Sequence, residues 1–313
     1  MIPQNVPLCI RFLCGLMAMS SVARSDAAQQ TAAATPASTG FVDVDGGKLY
    51  YEESGQGAQT VVLLHDGVVD SAVWNEVWPE FCQHFRTIRY DRRGFGKSPP
   101  TTSWYSEIDD LAALFHHLGV GRVALVGSSH GGELAIDFTL AHPDMVQELV
   151  LVGPVLSGMP YSLYFLDRGK QAYGLLQKGD VKGATTEWSK DKFLIEPQND
   201  GARRKLLELL TANSQDLTHE ATDMIMARKP AIGRLGAIKA PTLIITGADD
   251  IPDVHAHAGA IEAGIPSARR VVMDGVGHLL YLEKPAEFAR LAINFLETNQ
   301  ASEPREEMRS RGD

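Results

Sequence analysis

Arg122-Val123-Ala124-Leu125-Val126-Gly127-Ser128-Ser129-His130-Gly131 is an apolar run that breaks into Gly-x-Ser-x-Gly. A short apolar run bounded by turn residues predicts a buried strand. The pattern from residue 130 to 141 is helical, so the chain must turn from strand to helix within the glycine–serine segment. Such a turn forces the central serine into a strained, exposed position. Both residues two places away must be small, because side chains there would meet the neighbouring strand and helix. The new helix aims free amides and the positive end of its dipole at Ser129. Acyl transfer needs this combination: a presented nucleophile beside donors for a developing oxyanion. A glycine-rich connection with no chemistry would use the same five residues, so the reading needs support from elsewhere in the chain.

Two downstream motifs supply it. Pro241-Thr242-Leu243-Ile244-Ile245-Thr246-Gly247 reads as a buried strand and runs into Ala248-Asp249-Asp250. An acid just past a strand end can point along the sheet's carboxyl edge, where the elbow also opens. Val272-Met273-Asp274-Gly275-Val276-Gly277-His278 then reads as a strand, a glycine-rich loop and a histidine. The chain order Ser129, Asp250, His278 is the one expected for a hydrolase built on an open α/β sheet. His278 would take the Ser129 proton and return it to the leaving group, while Asp250 holds the imidazole tautomer. Asp249 is the alternative acid, and Asp253 is expected to cap the helix starting near Val254.

Of ten histidines, only His278 has preceding glycines that let a loop reach back over the sheet edge. His84, His116 and His117 read as surface or helix-end residues, His142 as a helix end before proline. His219, His255 and His257 read as solvated helix faces. His130 follows the nucleophile, so its backbone amide matters more than its ring.

From about Phe41 to about Thr298 the chain resembles the α/β-hydrolase superfamily. Thr60-Val61-Val62-Leu63-Leu64-His65 followed by Asp66-Gly67 resembles that family's His-Gly oxyanion loop. Tyr90-Asp91-Arg92-Arg93-Gly94-Phe95-Gly96-Lys97-Ser98 is similar to its Asp-x-Arg-Gly-x-Gly-x-Ser turn. Gly277-His278 through Glu283-Lys284-Pro285 looks like its histidine loop. The resemblance implies a second oxyanion donor, the backbone amide of Gly67 or Val68, beside that of His130. Asp66 stands where the family usually has glycine; its side chain is expected to turn to a backbone amide or a nearby arginine. Asp91-Arg92-Arg93 reads as a structural turn whose ion pairs hold loops, with no catalytic role.

Strands are expected at 41–44, 47–52, 60–65, 86–90, 122–127, 148–153, 241–247 and 269–273. Helices are expected at about 71–83, 106–118, 130–141, 254–264 and 285–297. Apolar runs alternating with amphipathic helices argue an α/β fold: an eight-stranded, mostly parallel sheet with helices on both faces. The opening pair turns near Asp45-Gly46-Gly47 as an antiparallel hairpin. Between about 156 and 239 the rhythm breaks into helical segments at 171–178, 181–190, 202–211 and 218–228. This is a helical lid inserted after the sixth strand, with Tyr161, Tyr164, Phe165, Trp188 and Phe193 packing it down or lining an apolar pocket.

With 44% hydrophobic and 22% charged residues, the chain is an ordinary globule with enough apolar mass for a sizeable core. A net charge of −10 without a basic stripe argues against nucleic acid as a partner. Arg11, the apolar stretch 12–19 and the small residues that follow read as a signal peptide over 1–23, hence a secreted or periplasmic protein without a membrane anchor once mature. The alternative is a cytoplasmic protein with a disordered extension. Residues 24–40 read as a disordered linker, 41–299 as the hydrolase domain and 300–313 as a disordered tail. Cys9 and Cys14 would leave with the signal, and Cys82 reads as packing.

The expected activity is cleavage of a carboxylic ester or lactone through an acyl-enzyme on Ser129, with no cofactor and no metal. C–C bond hydrolysis or haloperoxidase-like perhydrolysis would use the same three residues. A non-catalytic small-ligand receptor is the third reading, kept open by the Asp66 carboxylate near the oxyanion site.

Overall fold

A computed structural model of the chain describes residues 38–100, 103–213 and 229–300. The expected signal peptide, most of the linker, the helix at 218–228 and the tail from 301 lie outside the described residues. Eight strands form one sheet: β1 (Ser38–Val44), β2 (Gly47–Ser54), β3 (Thr60–Leu64), β4 (Arg86–Tyr90), β5 (Val123–Ser128), β6 (Val146–Val152), β7 (Thr242–Gly247) and β8 (Ala268–Met273). Their spatial order is β1-β2-β4-β3-β5-β6-β7-β8. β1 and β2 are antiparallel to each other and β2 to β4; every other pairing is parallel. The hairpin turns at Gly46, whose φ of +71° favours a residue without Cβ. β1 starts three residues before the expected Phe41: Ser38, Thr39 and Gly40 pair with Glu53, Glu52 and Tyr51, so this part of the expected linker is strand.

The middles of the central strands are unbroken apolar runs because both faces are covered. Val61, Leu63, Ala124, Val126, Val150, Val152, Leu243 and Ile245 point to one face, against Trp74, Phe81, Leu280 and Phe288. The alternate residues Val62, Leu64, Val123, Leu125, Leu149, Leu151 and Ile244 point to the other, against Leu111, Phe115, Leu134, Phe138 and Ile261. Each fully buried aliphatic side chain contributes about 1.5–3 kcal/mol. The first face carries α1 (Trp78–His84), α8 (Leu280–Glu283) and α9 (Pro285–Gln300); the second carries α2 (Glu107–His117), α3 (His130–Ala141) and α7 (Pro252–Gly264).

The single helix expected at 71–83 is instead a 3₁₀ turn, Ser71–Trp74, followed by α1. Pro79 has no N–H to give an interior helical bond, so the α-helix restarts with Pro79 in its first turn. α4 (Leu163–Leu176), α5 (Val181–Ser189) and α6 (Asp200–Ala212) form the insert between β6 and β7. Leu194, Ile195, Leu206 and Leu210 join the apolar cluster of the α1, α8 and α9 face. Tyr161 and Tyr164 remain exposed, whereas Phe165, Trp188 and Phe193 are half-buried against that cluster.

Candidate active site

The parallel strands all point one way, so the loops after β3, β4, β5, β6, β7 and β8 open at one edge of the sheet. Ser129 follows β5 there, with φ +52° and ψ −113°, the only non-glycine residue of positive φ among the described residues. Its neighbours must be glycine: a Cβ at Gly127 would strike the Gly131 carbonyl, and one at Gly131 the carbonyls of Leu64 and His65. The strained turn is anchored by the Ser129 N–H, which donates to Val152 O at 2.9 Å. Ser129 is half-buried at the start of α3, and its Oγ has no hydrogen-bond partner among the described residues.

Asp250 follows β7 and His278 follows β8. His278 Nδ1 meets Asp250 Oδ1 at 2.8 Å, with both side chains buried. The Ile251 amide also donates to Asp250 Oδ1, at 2.7 Å. Gly153 ends β6 between this pair and the elbow; a Cβ on it would lie 2.9 Å from His278 Nδ1 and 3.0 Å from Asp250 Oδ2. Burial alone would push the imidazole down, but the Asp250 charge and hydrogen bond, reinforced by Asp66, outweigh it and raise His278 above the ordinary histidine value.

Asp249 is exposed and donates its backbone N–H to Val276 O. Asp253 does not cap α7 as expected; its carboxylate accepts from Ser162 N at 2.6 Å and Ser162 Oγ at 2.8 Å, tying the insert to α7. His257, expected on a solvated face, is buried: its Nδ1 accepts from the Leu156 amide and its ring stacks on Tyr161. Its place on the buried side of a helix of weak amphipathicity left no signal in the sequence.

The loop after β3 turns the Asp66 carboxylate back on itself. Oδ1 accepts from the amides of Val68 at 2.8 Å and Val69 at 3.3 Å, and Oδ2 accepts from Tyr281 Oη at 3.2 Å. Since Tyr281 donates to Asp66, Ser128 Oγ donates to Tyr281 at 3.0 Å. The Val68 amide is therefore taken by Asp66. Of the two expected second donors, Gly67 is the one whose amide has no acceptor among the described residues. A Cβ on Gly67 would lie 3.8 Å from His130 Cβ, so the two donor-bearing residues are neighbours. Burial pushes the Asp66 carboxyl up, only partly offset by the Val68 amide and the charges of His278 and Arg92.

Behind the elbow, His130 Nε2 meets Glu107 Oε2 at 2.6 Å and Arg92 Nη1 donates to Glu107 Oε1 at 2.8 Å. Burial would raise Glu107, but His130 and Arg92 overcome it and hold the carboxyl well below the usual range. Sequence reasoning placed Arg92 only in a turn and did not find Glu107 or Tyr281; their links depend on residues 15 and 215 positions away in the chain. The insert reaches the site through its irregular segment. The amides of His278 and Leu279 donate to the carbonyls of Phe193 and Leu194, at 2.7 and 3.0 Å. The Glu283 carboxylate accepts from Gly277 N at 2.6 Å and Glu196 N at 2.9 Å. Among the described residues no group of three or more His, Cys, Asp or Glu side chains is gathered as a metal site requires. No helix among them is long and apolar enough to cross a membrane.

The profile of the alpha/beta hydrolase family matches residues 61–291. The 2-hydroxy-6-oxononadienedioate/2-hydroxy-6-oxononatrienedioate hydrolase of Paraburkholderia xenovorans is 30% identical over 284 residues, covering 84% of this chain and 97% of that protein. A thermophilic esterase from Thermogutta terrifontis superposes with a TM-score of 0.70 at 25% identity, over 85% of this chain and 99% of that one. Est816, described as an N-acyl homoserine lactone degrading enzyme, gives 0.68 at 25% identity, over 82% and 100%. The family profile spans most of the chain, and its motifs meet at one sheet edge around a strained serine. The chain belongs to the alpha/beta hydrolase family and is a hydrolase.

Proposed function

We propose that this hydrolase cleaves a carboxylic ester or lactone through an acyl-enzyme on Ser129. The observation that carries the reading is the left-handed Ser129 at the mouth of α3, on the same sheet edge as the buried His278–Asp250 pair. Ser129 Oγ attacks the carbonyl carbon while His278 Nε2 takes its proton. The oxyanion forms against the amides of Gly67 and His130, each such donor being worth about 2.7–4 kcal/mol of barrier. The C–O bond breaks, His278 protonates the leaving alcohol, and water attacks the acyl-enzyme by the same route in reverse. Asp250 keeps the imidazole in the Nδ1–H tautomer throughout.

Two similar proteins support the substrate class, one named an esterase and one described as degrading a lactone. A second reading is favoured by the relative named for a hydroxy-oxo-diene-dioate. The same serine would attack a ketone and expel carbon in place of oxygen. Ser129→Ala should lower kcat by about 10⁴- to 10⁶-fold, and a fluorophosphonate should label Ser129 in the wild type. Label retained in the alanine variant, or found on Ser128, would overturn the nucleophile assignment. Parallel assays on p-nitrophenyl acetate, a γ-lactone and a vinylogous 1,5-diketone separate the two readings. Turnover of the diketone alone would overturn the ester or lactone assignment.

A further inference from the structure

The Asp66–Gly67 peptide is held by its carbonyl. Asp66 O accepts from Arg92 Nη2 at 2.5 Å and from His65 Nδ1 at 2.8 Å. His65 has a proton on Nδ1 because its Nε2 is occupied as an acceptor, from the Arg92 backbone N–H at 3.0 Å. Complete burial and the neighbouring Arg92 charge hold the ring neutral, well below the ordinary histidine range. Both lone pairs of the carbonyl are thus filled. The peptide is trans, since no described residue has a cis bond, and a trans amide carries its N–H antiparallel to its C=O. Pinning the carbonyl on Arg92 therefore aims the Gly67 N–H the opposite way.

The other arm of the same guanidinium reaches the second donor. Arg92 Nη1 donates to Glu107 Oε1, and Glu107 Oε2 holds the His130 ring. Arg92 itself is packed in: it is 4% exposed, and the Phe95 ring lies against its guanidinium at 4.6 Å while packing on His65 at 5.1 Å. The adjacent Arg93 is the internal contrast. It pairs with Asp110 at 2.6 Å and donates to Asp45 O, bracing the turn against α2 and the β1–β2 hairpin without touching the oxyanion loop or the elbow.

We infer that Arg92 is a positioning residue for the oxyanion site, orienting the Gly67 amide through the Asp66 carbonyl and fixing His130 through Glu107. This rests on the proposed role of Ser129. A cation on the carbonyl oxygen also polarises the amide and makes its N–H a stronger donor. The task needs a planar fork with two separated donor edges, which lysine cannot supply.

Arg92→Lys and Glu107→Gln test the inference, with Arg93→Lys as the control. Arg92→Lys keeps a buried positive charge and loses the fork. It should lower kcat for p-nitrophenyl acetate by about 10- to 100-fold, short of the roughly 10²- to 10³-fold that outright loss of a donor costs. KM should stay within about threefold, and affinity for a trifluoromethyl ketone, which forms a tetrahedral oxyanion on the serine, should fall by the same factor as kcat. Glu107→Gln should move both quantities in the same direction by less. Arg93→Lys should lower the melting temperature and leave kcat and inhibitor affinity alone. Arg92→Lys that folds with wild-type kcat and inhibitor affinity overturns the inference. So does an equal kcat loss in Arg93→Lys, or a failure of both Arg92→Lys and Glu107→Gln to fold, which would make the pair a scaffold. Absence of fluorophosphonate label on wild-type Ser129 would instead bring down the hydrolytic reading beneath it.

Discussion

Asp66 stands in a loop that resembles one where glycine is usual, and both of its carboxylate oxygens are engaged. Two amides and the Tyr281 phenol hold it, and Tyr281 stays protonated because burial and the Asp66 charge push it well above 10. The remaining influence of Asp66 is electrostatic: it helps raise His278. Only the neutral imidazole can take the serine proton, so activity falls as pH drops through the His278 value. That midpoint is expected above about 6.5, the ordinary histidine pKa. Asp66→Asn keeps an acceptor for the amides and removes a negative charge that favours the imidazolium. The acid limb of kcat/KM should therefore move to lower pH while the plateau kcat changes only modestly. A pH–rate profile measures both, and an unmoved midpoint would show that the carboxylate is not felt at His278. The sequence showed Asp66 to be unusual because it breaks a local pattern. It could not show the Tyr281 partner, which lies 215 positions away in the chain.

Elements, more than residues, place the His278–Asp250 pair. β6 stops at Gly153, in a left-handed conformation of φ +48°, and the absence of a side chain there leaves room for His278 and Asp250. An alanine would add about 1–2 kcal/mol of backbone strain and a Cβ against both partners. Gly153→Ala is expected to fold, with circular dichroism unchanged, and to lose about tenfold or more in kcat, since a 1 Å misplacement near the chemistry can cost about 10²-fold. Wild-type kcat would mean that the pair relaxes around the methyl. All eight strands were legible, the central ones because apolar runs such as Val123 to Val126 are buried at consecutive positions and bounded by turn residues. The acid was legible only as a choice among three aspartates. All three follow β7, and what distinguishes them is the contact of Asp250 with His278 Nδ1 at 2.8 Å, against the exposure of Asp249 and the engagement of Asp253 with Ser162.

For the molecule as a whole, the sheet and each residue proposed for the chemistry lie between Ser38 and Gln300. A chain beginning at residue 36 should keep the kcat and melting temperature of the full-length protein. Deletion through Asp45, which strips the β1 edge strand from β2, should lower the melting temperature. A truncation at 36 that loses activity would assign the preceding segment a role in the site. Strand content was readable along the chain, but spatial order was not. β3 lies between β4 and β5, parallel strands joined by crossover connections, and the hydrophobic pattern of a strand does not record which neighbour it takes. The insert was legible in the same partial way, as a loss of rhythm with no indication of what it touches. What it touches is the histidine loop, through the Phe193 and Leu194 carbonyls. His278 is thus held between two pieces of chain: the loop after β7 contributes Asp250 at its ring, and the insert contributes the carbonyls from which its backbone hangs. Insert and histidine loop are joined by these two backbone bonds. Exchanging this insert for one from a relative would preserve the imidazole's position only if the incoming segment offered two carbonyls in the places of residues 193 and 194.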